Sequence, residues 1–360
     1  MLYVLKISDK QDSADSRFAK ILAAALQDKT YKLITNLPDF TAWCSKPAAQ
    51  KYGSKLFFAL QLPPAGISTN YVLWLNTIIA IPNCLEGCIG SVLIDGGSEF
   101  FTKKLGRELI WAANAAGCCF PGKPLVEATG SLANFNILAQ IQGLDNFAAY
   151  QKSVLQLIEK LQRFQLPIRP THNKQHLLVL HASSHQTSNT LLLWKLIRKA
   201  LEEKAEVEEI SLRNGELVDC NGCAYETCLH FGEKGSCFYG GVMVDKVYPA
   251  IKRCDNIILL CPNYNDAVSA NLTAFINRLT ALFRQDFASF ATKKVFALVV
   301  SGYSGGDIVA EQVIGALNCN KNFILPAHFA LIETANAPQS VLRCQDIEAR
   351  ANAMAQRLLH

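Results

Sequence analysis

The sequence predicts an α/β protein in which two doubly wound parallel sheets follow each other along one chain. Short runs rich in Val, Ile and Leu alternate with helical patterns, the second half repeats the order of the first, and prolines separate the halves. Continuous apolar strands that alternate with helices are typical of a parallel sheet covered on both faces.

The strands of the second half are the clearest elements. Five apolar runs there are separated by stretches with helical spacing of apolar residues. They are predicted at HLLVLHA (176–182), EVEEISL (206–212), DNIILLCP (255–262), KVFALVVSG (294–302) and FALIET (329–334). The pattern therefore indicates a five-stranded sheet with helices in the connections.

The first half repeats this pattern, including polar positions. NYVLWLN (Asn70–Asn76) aligns with NLTAFIN (Asn271–Asn277), and VLIDGGS (Val92–Ser98) aligns with LVVSGYS (Leu298–Ser304). Strand and helix periodicity explains recurring apolar residues but not recurring polar ones. The sequence thus favours an internal duplication.

The boundary between the halves is predicted in RFQLPIRPTHNKQ (163–175). Its two prolines follow a helical stretch and precede a strand, which is typical of a linker. We therefore expect one domain at residues 1–165 and a second at residues 174–360.

Composition limits the partners and the compartment. Half of the 360 residues are hydrophobic and 18% are charged, which suits large cores. The net charge is +5 without a basic run, so we expect no nucleic-acid partner. The longest apolar stretch is broken by Asn76 and Pro82, so no membrane role is expected. The first residues do not have the pattern of a secretory signal. Thirteen cysteines, an odd number, fit a reducing cytoplasm better than a disulfide scaffold.

The stretch VLHASSHQTSNT (Val179–Thr190) collects polar groups where a strand meets a helix. Such a turn presents backbone N–H groups and the positive end of the helix dipole, which together attract an anion. One N-cap needs one hydroxyl or amide, but this loop offers many more. The potential donors are Ser183, Ser184, His185, Thr187, Ser188, Asn189 and Thr190. This set suits a compact phosphate monoester.

The loop resembles the phosphate loop of the NAD(P)H-dependent FMN reductases, which have a flavodoxin-like fold. The family shows Gly-Ser-Pro-Arg, two variable residues, a small residue and Asn-Thr; here the first four positions read Ala182 to His185. The resemblance implies two flavodoxin-like doubly wound five-stranded sheets. It also implies that the FMN phosphate is bound by Ser183, His185, Ser188, Asn189 and Thr190.

Two further segments carry the same resemblance. CPNYNDAVSANLTAFINRL (Cys261–Leu279) is similar to the family's Pro-x-Tyr segment and following helix, and SGYSGGD (Ser301–Asp307) is similar to its third flavin loop. Both follow predicted strands, at the edge where open α/β sheets bind ligands. The resemblance implies that the flavin ring lies beside Pro262, Asn263, Tyr264, Asn265, Ser301, Gly302 and Tyr303.

The corresponding loop of the first half, SDKQDSADS (Ser8–Ser16), is acidic. Each of Asp9, Asp12 and Asp15 would cost on the order of several kcal/mol beside a phosphate. We therefore expect a degenerate flavodoxin-like domain without FMN. We hypothesise that this first domain is retained because the two halves form an intramolecular pseudo-dimer, in which the first domain supplies the second wall of the flavin site. A homodimer is the alternative.

A cysteine-rich loop, DCNGCAYETCLHFGEKGSC, runs from Asp219 to Cys237. It is similar to the cysteine motif of the iron–sulfur flavoproteins, apart from a longer second spacing. The candidate metal ligands are Cys220, Cys223, Cys228 and Cys237. A [4Fe–4S] cluster, a zinc ion and free redox-active thiols all stay open at this point.

The resemblance implies an FMN-dependent oxidoreductase that takes electrons from NAD(P)H and passes them to a small-molecule or protein acceptor. The flavin would supply the chemistry, so no side chain is assigned as a catalytic acid or base. The alternative is an iron–sulfur flavoprotein that carries electrons or senses redox state without NAD(P)H turnover of its own.

Overall fold

The chain divides into two compact units, which we call unit 1 (Met1–Leu166) and unit 2 (Pro167–His360). A computed structural model describes residues 1–9, 15–167, 174–183, 187–213, 215 and 217–360. Each unit contains a five-stranded sheet in which every strand pairing is parallel.

Unit 1 has the strand order β2-β1-β3-β4-β5. Its strands are β1 (Leu2–Ile7), β2 (Tyr31–Ile34), β3 (Lys55–Gln61), β4 (Ile89–Asp95) and β5 (Leu125–Ala128). Its helices are α1 (Arg17–Leu26), α2 (Leu37–Cys44), α3 (Ala48–Lys51), α4 (Thr69–Ala80), α5 (Thr102–Ala115), α6 (Asn136–Gln142) and α7 (Asn146–Arg163). Every residue of β4 is buried, as a strand covered on both faces requires.

Unit 2 has the order β10-β9-β8-β6-β7. Its strands are β6 (Gln175–His181), β7 (Ala205–Ser211), β8 (Asn256–Pro262), β9 (Lys294–Ser301) and β10 (Ala330–Thr334). Its helices are α8 (Asn189–Leu201), α9 (Tyr225–Glu233), α10 (Tyr248–Arg253), α11 (Ala270–Gln285), α12 (Phe287–Phe290), α13 (Gly306–Val313) and α14 (Ile347–Leu359).

The two sheets have the same topology. Counted from the first strand of each unit, both follow the order 2-1-3-4-5 of flavodoxin-like doubly wound sheets. The predicted fold class is confirmed, and the five strands predicted in the second half agree with β6 to β10 within one residue. In this fold ligands bind at the carboxyl ends of the strands, where the winding direction reverses. In unit 2 that point lies between β6 and β8.

The core of unit 2 holds the start of α8 against the sheet. Leu193, Trp194 and Ile197 of α8 are buried against the sheet together with Met354 of α14. Their spacing of three to four residues places them on one helix face, and each such side chain contributes about 2 kcal/mol by leaving water.

A bilayer-spanning helix would need a longer apolar run than any that the described residues contain.

Candidate functional site

Two of the predicted hydroxyls meet at the start of α8. Ser188 is the N-cap, and its Oγ accepts a hydrogen bond from the Leu191 N–H at 3.5 Å. The same Oγ donates to Ser183 Oγ at 3.3 Å. His185, which was predicted as a further donor, lies outside the described residues. The turn therefore combines paired hydroxyls with a helix N-terminus, which is the chemistry of an anion site.

Asn189 lies in the same turn, but its side chain connects two parts of the unit. Its Nδ2 donates to the carbonyl oxygens of Ala335 and Ala337, each at 2.9 Å, and its Oδ1 accepts from the Val341 N–H at 3.2 Å. The amide thus fastens the start of α8 to the segment after β10. Thr190, the next predicted donor, is almost completely buried in the first turn of the helix.

His181 is the last residue of β6 and directly precedes this loop. Burial lowers the pKa of its imidazole, and only partial compensation comes from Glu209 on the neighbouring strand and from a hydrogen bond to the Ser183 backbone. Its Nδ1 is buried and has no hydrogen-bond partner in the described part of the chain. The ring is therefore neutral at pH 7, which sequence reasoning did not anticipate.

The loop after β8 contains a tight reverse turn. Tyr264 and Ala267 exchange both backbone hydrogen bonds at 3.2 Å, while Asn265 and Asp266 have φ angles of 53° and 56°. Positive φ at both central residues defines a type I′ turn, which favours Asn and Asp at these positions. The Tyr264 side chain beside this turn is 57% exposed.

Asn263 joins this turn to the loop after β9. Its Nδ2 lies 3.2 Å from Ser301 Oγ, 2.8 Å from the Ser304 carbonyl oxygen and 3.3 Å from Asp266 Oδ1. Its Oδ1 is buried and has no donor among the described residues. The side chain therefore holds two of the predicted loops together and leaves one acceptor unsatisfied.

The loop after β9 depends on glycine. Gly305 has a φ of +80°, and a Cβ at this position would collide with Oδ1 of Asp266. Tyr303 is 81% exposed, and its hydroxyl accepts a hydrogen bond from Asn336 Nδ2 at 2.8 Å. The predicted ring contacts all lie at the carboxyl ends of β8 and β9: Pro262, Asn263, Tyr264, Asn265, Ser301, Gly302 and Tyr303.

Unit 1 uses its own side chains at the equivalent edge. Asp9 accepts hydrogen bonds from Ser68 Oγ at 2.9 Å and from the backbone N–H groups of Thr69 and Asn70 at 3.1 and 2.8 Å. This carboxylate therefore caps the start of α4. Asp15 is exposed and lies 3.8 Å from Lys20 Nζ, and the predicted Asp12 lies outside the described residues.

An ion pair with a buried carboxylate occupies the carboxyl end of β4. Arg17 donates to Asp95 from Nε at 3.0 Å and from Nη2 at 2.8 Å, and the Tyr150 hydroxyl donates to the same carboxylate at 3.0 Å. Burial, followed by the charge of Asp95, raises the pKa of Tyr150 far above its usual range. Arg17 and Tyr150 together leave the Asp95 carboxylate fully paired within unit 1.

The loops after β3 and β4 also contact each other directly. The Gly97 N–H donates to the Leu62 carbonyl oxygen at 3.1 Å, and a Cβ at Gly97 would lie 2.7 Å from the Pro64 nitrogen. The corresponding loops of unit 2 are instead bridged by the Asn263 side chain. The two loops of unit 1 are therefore joined through their backbone, whereas those of unit 2 are joined through a side chain.

The cysteine-rich loop is followed in the chain by the buried Tyr248. Burial raises the pKa of Tyr248, and the thiols of Cys237, Cys228 and Cys220 act in the same direction. Tyr248 donates to the Arg278 carbonyl oxygen at 2.6 Å. The predicted ligands Cys220, Cys223, Cys228 and Cys237 are exposed or partly exposed.

These cysteines do not form a metal site in this arrangement. Among the residues that the structure describes, no group of three or more His, Cys, Asp or Glu side chains is placed to hold a metal ion. The two ends of the loop are linked by Arg278, which donates to the carbonyl oxygens of Val218 and Gly240 at 3.3 and 2.7 Å. The predicted set of four ligands is therefore not assembled.

Residues 176–337 match a protein family described as NADPH-dependent FMN reductase. This match lies in the second half of the chain and agrees with the resemblance stated from the sequence. An iron–sulfur flavoprotein from Archaeoglobus fulgidus is 29% identical over 119 residues, which cover 32% of this chain and 58% of the relative. The chain thus spans little more than half of that relative's length.

Solved structures are similar over one half of the chain. The Trp repressor binding protein from Bacillus subtilis shares 20% identity, with 51% of this chain and 99% of that chain covered and a TM-score of 0.34. An NAD(P)H:quinone oxidoreductase from Methanothermobacter marburgensis shares 16% identity, with 52% and 98% covered and a TM-score of 0.40.

Proposed function

We propose that unit 2 binds FMN at the carboxyl edge of its sheet, accepts electrons from NAD(P)H and passes them to a small-molecule or protein acceptor. The observation that carries this proposal is the pairing of the Ser183 and Ser188 hydroxyls at the start of α8, within the segment that matches the reductase family. When bound, FMN supplies hydride acceptance and one- or two-electron transfer.

The phosphate end of the proposed site is uncharged. Ser183, Ser188 and Thr190 would donate hydroxyls, and the first-turn N–H groups and dipole of α8 would attract the phosphate charge. His185 belongs to this proposal as a further donor. Asn189 acts here as a positioning residue, because all its hydrogen bonds fix the turn to the segment after β10.

The ring end of the proposed site lies between the loops after β8 and β9. The unsatisfied Oδ1 of Asn263 fits an N–H donor such as the one on the flavin ring. Tyr264 and Tyr303 offer exposed aromatic faces to a flat ligand. Pro262, Asn265 and Ser301 border the same place.

The direct test compares flavin affinity in matched serine variants of the full chain. Ser183→Ala combined with Ser188→Ala removes two hydroxyls that would meet a charged phosphate, so FMN affinity should fall on the order of 100-fold. Ser16→Ala is the control, because Ser16 caps α1 of unit 1 by accepting from the Ala19 N–H at 3.1 Å. It should leave FMN affinity unchanged.

Two readouts complete this test. Fluorescence titration of the apoprotein measures FMN affinity, and steady-state oxidation of NADPH or NADH with a quinone or ferricyanide acceptor measures turnover. An unchanged affinity in the double serine variant would refute the phosphate site. A protein that stays colourless with added FMN would refute the function.

The second candidate is an electron carrier or redox sensor with a metal cluster and no NAD(P)H turnover. It is favoured by the spacing of the cysteines at 220, 223, 228 and 237 together with the similarity to a relative described as an iron–sulfur flavoprotein. Iron and sulfide analysis of anaerobically purified protein, together with the turnover assay, separates the two candidates. Bound iron without oxidation of either nucleotide would favour the carrier.

A further inference from the structure

Unit 1 contains a cavity at the carboxyl end of α7. The cavity has a volume of about 380 Å³ and is lined by the final part of this helix and the residue that follows it. Its lining consists of Gln156, Glu159, Lys160, Arg163 and Phe164. Small-molecule sites in proteins have volumes of roughly 300 to 1,000 Å³, so this cavity can accommodate a small ligand.

Two lysine ammonium groups reach this cavity from different elements. Lys160, in the last turn of α7, donates from Nζ to the carbonyl oxygen of Gly122. Lys55, the first residue of β3, donates to the carbonyl oxygen of Phe164 and lies 5.9 Å from the centre of the Phe164 ring. A further cation, Lys123, directly follows Gly122 in the chain. The segments that precede or begin β3 and β5 therefore bring positive charge to the end of α7.

The surroundings of Lys160 are unfavourable for its charge. Burial, followed by the charge of Lys123, lowers the pKa of Lys160 to about 8. Arg163 adds a cation to the lining, and its Nη2 lies 3.7 Å from Glu159 Oε2, which is too long for a strong ion pair. The helix dipole favours cations in the last turn of α7, but it does not account for Lys55 or Lys123. An anion in the cavity would offset the charge of all four cations.

We propose that this cavity binds a small phosphate-bearing anion. Arg163 would bind phosphate oxygens with its guanidinium fork, and Lys160 would add a charge-assisted hydrogen bond from Nζ. Gln156 would donate from its amide, and the Phe164 ring would form the apolar wall. The carboxylate of Glu159 would oppose binding and limit the affinity.

This site is independent of the flavin function proposed for unit 2. Lys55 begins β3 and Lys123 precedes β5, so both mark the amino edge of the unit 1 sheet. Flavodoxin-like sheets bind their usual ligands at the opposite, carboxyl edge. The proposed anion site is thus not a remnant of a flavin site.

The direct test titrates inorganic pyrophosphate into the full chain by isothermal titration calorimetry at constant ionic strength. We expect Lys160→Met and Arg163→Met each to weaken binding about tenfold, because each removes a charge-assisted hydrogen bond. The double variant Ser183→Ala, Ser188→Ala should bind pyrophosphate as the parent does. This comparison separates the cavity of unit 1 from the phosphate loop proposed in unit 2.

Lys152→Met is the matched control, because Lys152 is an exposed lysine on the same helix that does not line the cavity. It should leave the affinity for pyrophosphate unchanged. Glu159→Gln should tighten binding about threefold, because it removes the opposing carboxylate from the lining. A loss in Lys152→Met equal to that in Lys160→Met would show a general effect of net charge and would overturn the proposal.

A chemical footprint provides the second readout. Trace acetylation with acetic anhydride, mapped by mass spectrometry, compares Lys160 with Lys152 in the same digest. Saturating pyrophosphate should slow acetylation of Lys160 about fivefold, because a bound anion keeps its amine protonated and covered, and should leave Lys152 unchanged.

ADP in place of pyrophosphate distinguishes two sources of the phosphate group. Tighter binding of ADP that Phe164→Leu abolishes would identify a nucleotide as the ligand, because a base would contact the Phe164 ring. Equal binding of ADP and pyrophosphate would identify the phosphate group alone as the part that is recognised.

Three results would overturn the proposal. These are the absence of binding of both pyrophosphate and ADP at low ionic strength, an unchanged affinity in natively folded Lys160→Met, and a loss confined to the double serine variant. If Lys160→Met does not fold, Arg163→Met and the footprint of the parent decide the matter, because the Arg163 side chain is 82% exposed and its replacement leaves the core intact.

Discussion

At the residue scale, the start of α8 contains side chains with two different tasks. Among the described residues, the Ser183 and Ser188 hydroxyls contact each other and the helix start, whereas every polar atom of the Asn189 amide is engaged with the segment after β10. The sequence motif presents all three as equivalent donors. The difference arises from partners about 150 residues away in the chain, which no local pattern contains.

Asn189→Ala should therefore act on stability as well as on the flavin. It removes three hydrogen bonds, two of them partly buried, and we expect unit 2 to lose about 2 kcal/mol of unfolding free energy. Urea denaturation followed by circular dichroism measures this loss. Asn189→Asp retains the acceptor for the Val341 N–H and should lose less. Equal stability of Asn189→Ala and the parent would show that the amide does not fasten the turn.

His181 makes the stability of unit 2 dependent on pH. Its pKa is lowered in the folded state by burial, so below the unfolded value of about 6.5 the unfolded chain binds a proton that the folded chain does not. The stabilisation is present above pH 6.5 and is lost as the pH falls. Comparison of the parent with His181→Asn at pH 7.5 and pH 5 should show that the parent loses more stability on acidification. A difference between the two proteins that does not change with pH would contradict this.

At the element scale, the second-half strands could be predicted closely from the sequence. β8 and β9 are continuous apolar runs because helices cover both faces of the sheet, and their ends coincide with the first polar residues. The short helices α3 and α12 could not be predicted in the same way. Four residues carry too little periodicity, and tertiary packing determines their conformation.

A side chain at position 305, in the loop after β9, should destabilise unit 2. Gly305→Ala combines an unfavourable positive φ with a collision against Asp266, and we expect a loss of about 2 kcal/mol in stability and weaker FMN binding. Gly222 is a matched control in the same unit, because it has a φ of +68° and a Cβ added there would meet no described atom within 4 Å. Gly222→Ala should cost about 1 kcal/mol from backbone conformation alone. Equal losses in both variants would show that the contact between the two loops has no energetic role.

At the scale of the whole molecule, two sheets of the same topology have diverged at the same edge. The sequence predicts that unit 1 has lost its phosphate site through repulsion by Asp9, Asp12 and Asp15. The structure shows what two carboxylates at this edge bind: Asp9 caps α4, and Asp95 binds Arg17 and Tyr150. Both interactions join residues more than 50 positions apart, so the acidic composition of the loop could indicate a loss but not what replaces the ligand.

The Arg17–Asp95 pair should be important for the stability of unit 1 alone. Arg17→Met leaves a buried carboxylate without its cation, and we expect a loss of about 3 kcal/mol. Lys20→Met is the control, since the exposed Lys20–Asp15 pair should contribute less than about 1 kcal/mol. Chemical denaturation measures both, and retained flavin absorbance in Arg17→Met would agree with a cofactor bound by unit 2. Loss of flavin from folded Arg17→Met would contradict this division of roles.

The number of flavins per chain tests the division of roles most directly. Two equivalent sites would bind two FMN molecules, but in unit 1 the loops after β3 and β4 hydrogen-bond to each other and Asp95 is fully paired. We therefore expect saturation at one FMN per chain, measured as flavin released by acid relative to protein from amino-acid analysis. The double variant Ser183→Ala, Ser188→Ala should lose that single flavin at concentrations that saturate the parent, whereas Ser16→Ala should retain it. Two flavins per chain would show that unit 1 also has a working site. One flavin per chain that the double variant retains undiminished would place the site in unit 1 and reverse the assignment of the two halves.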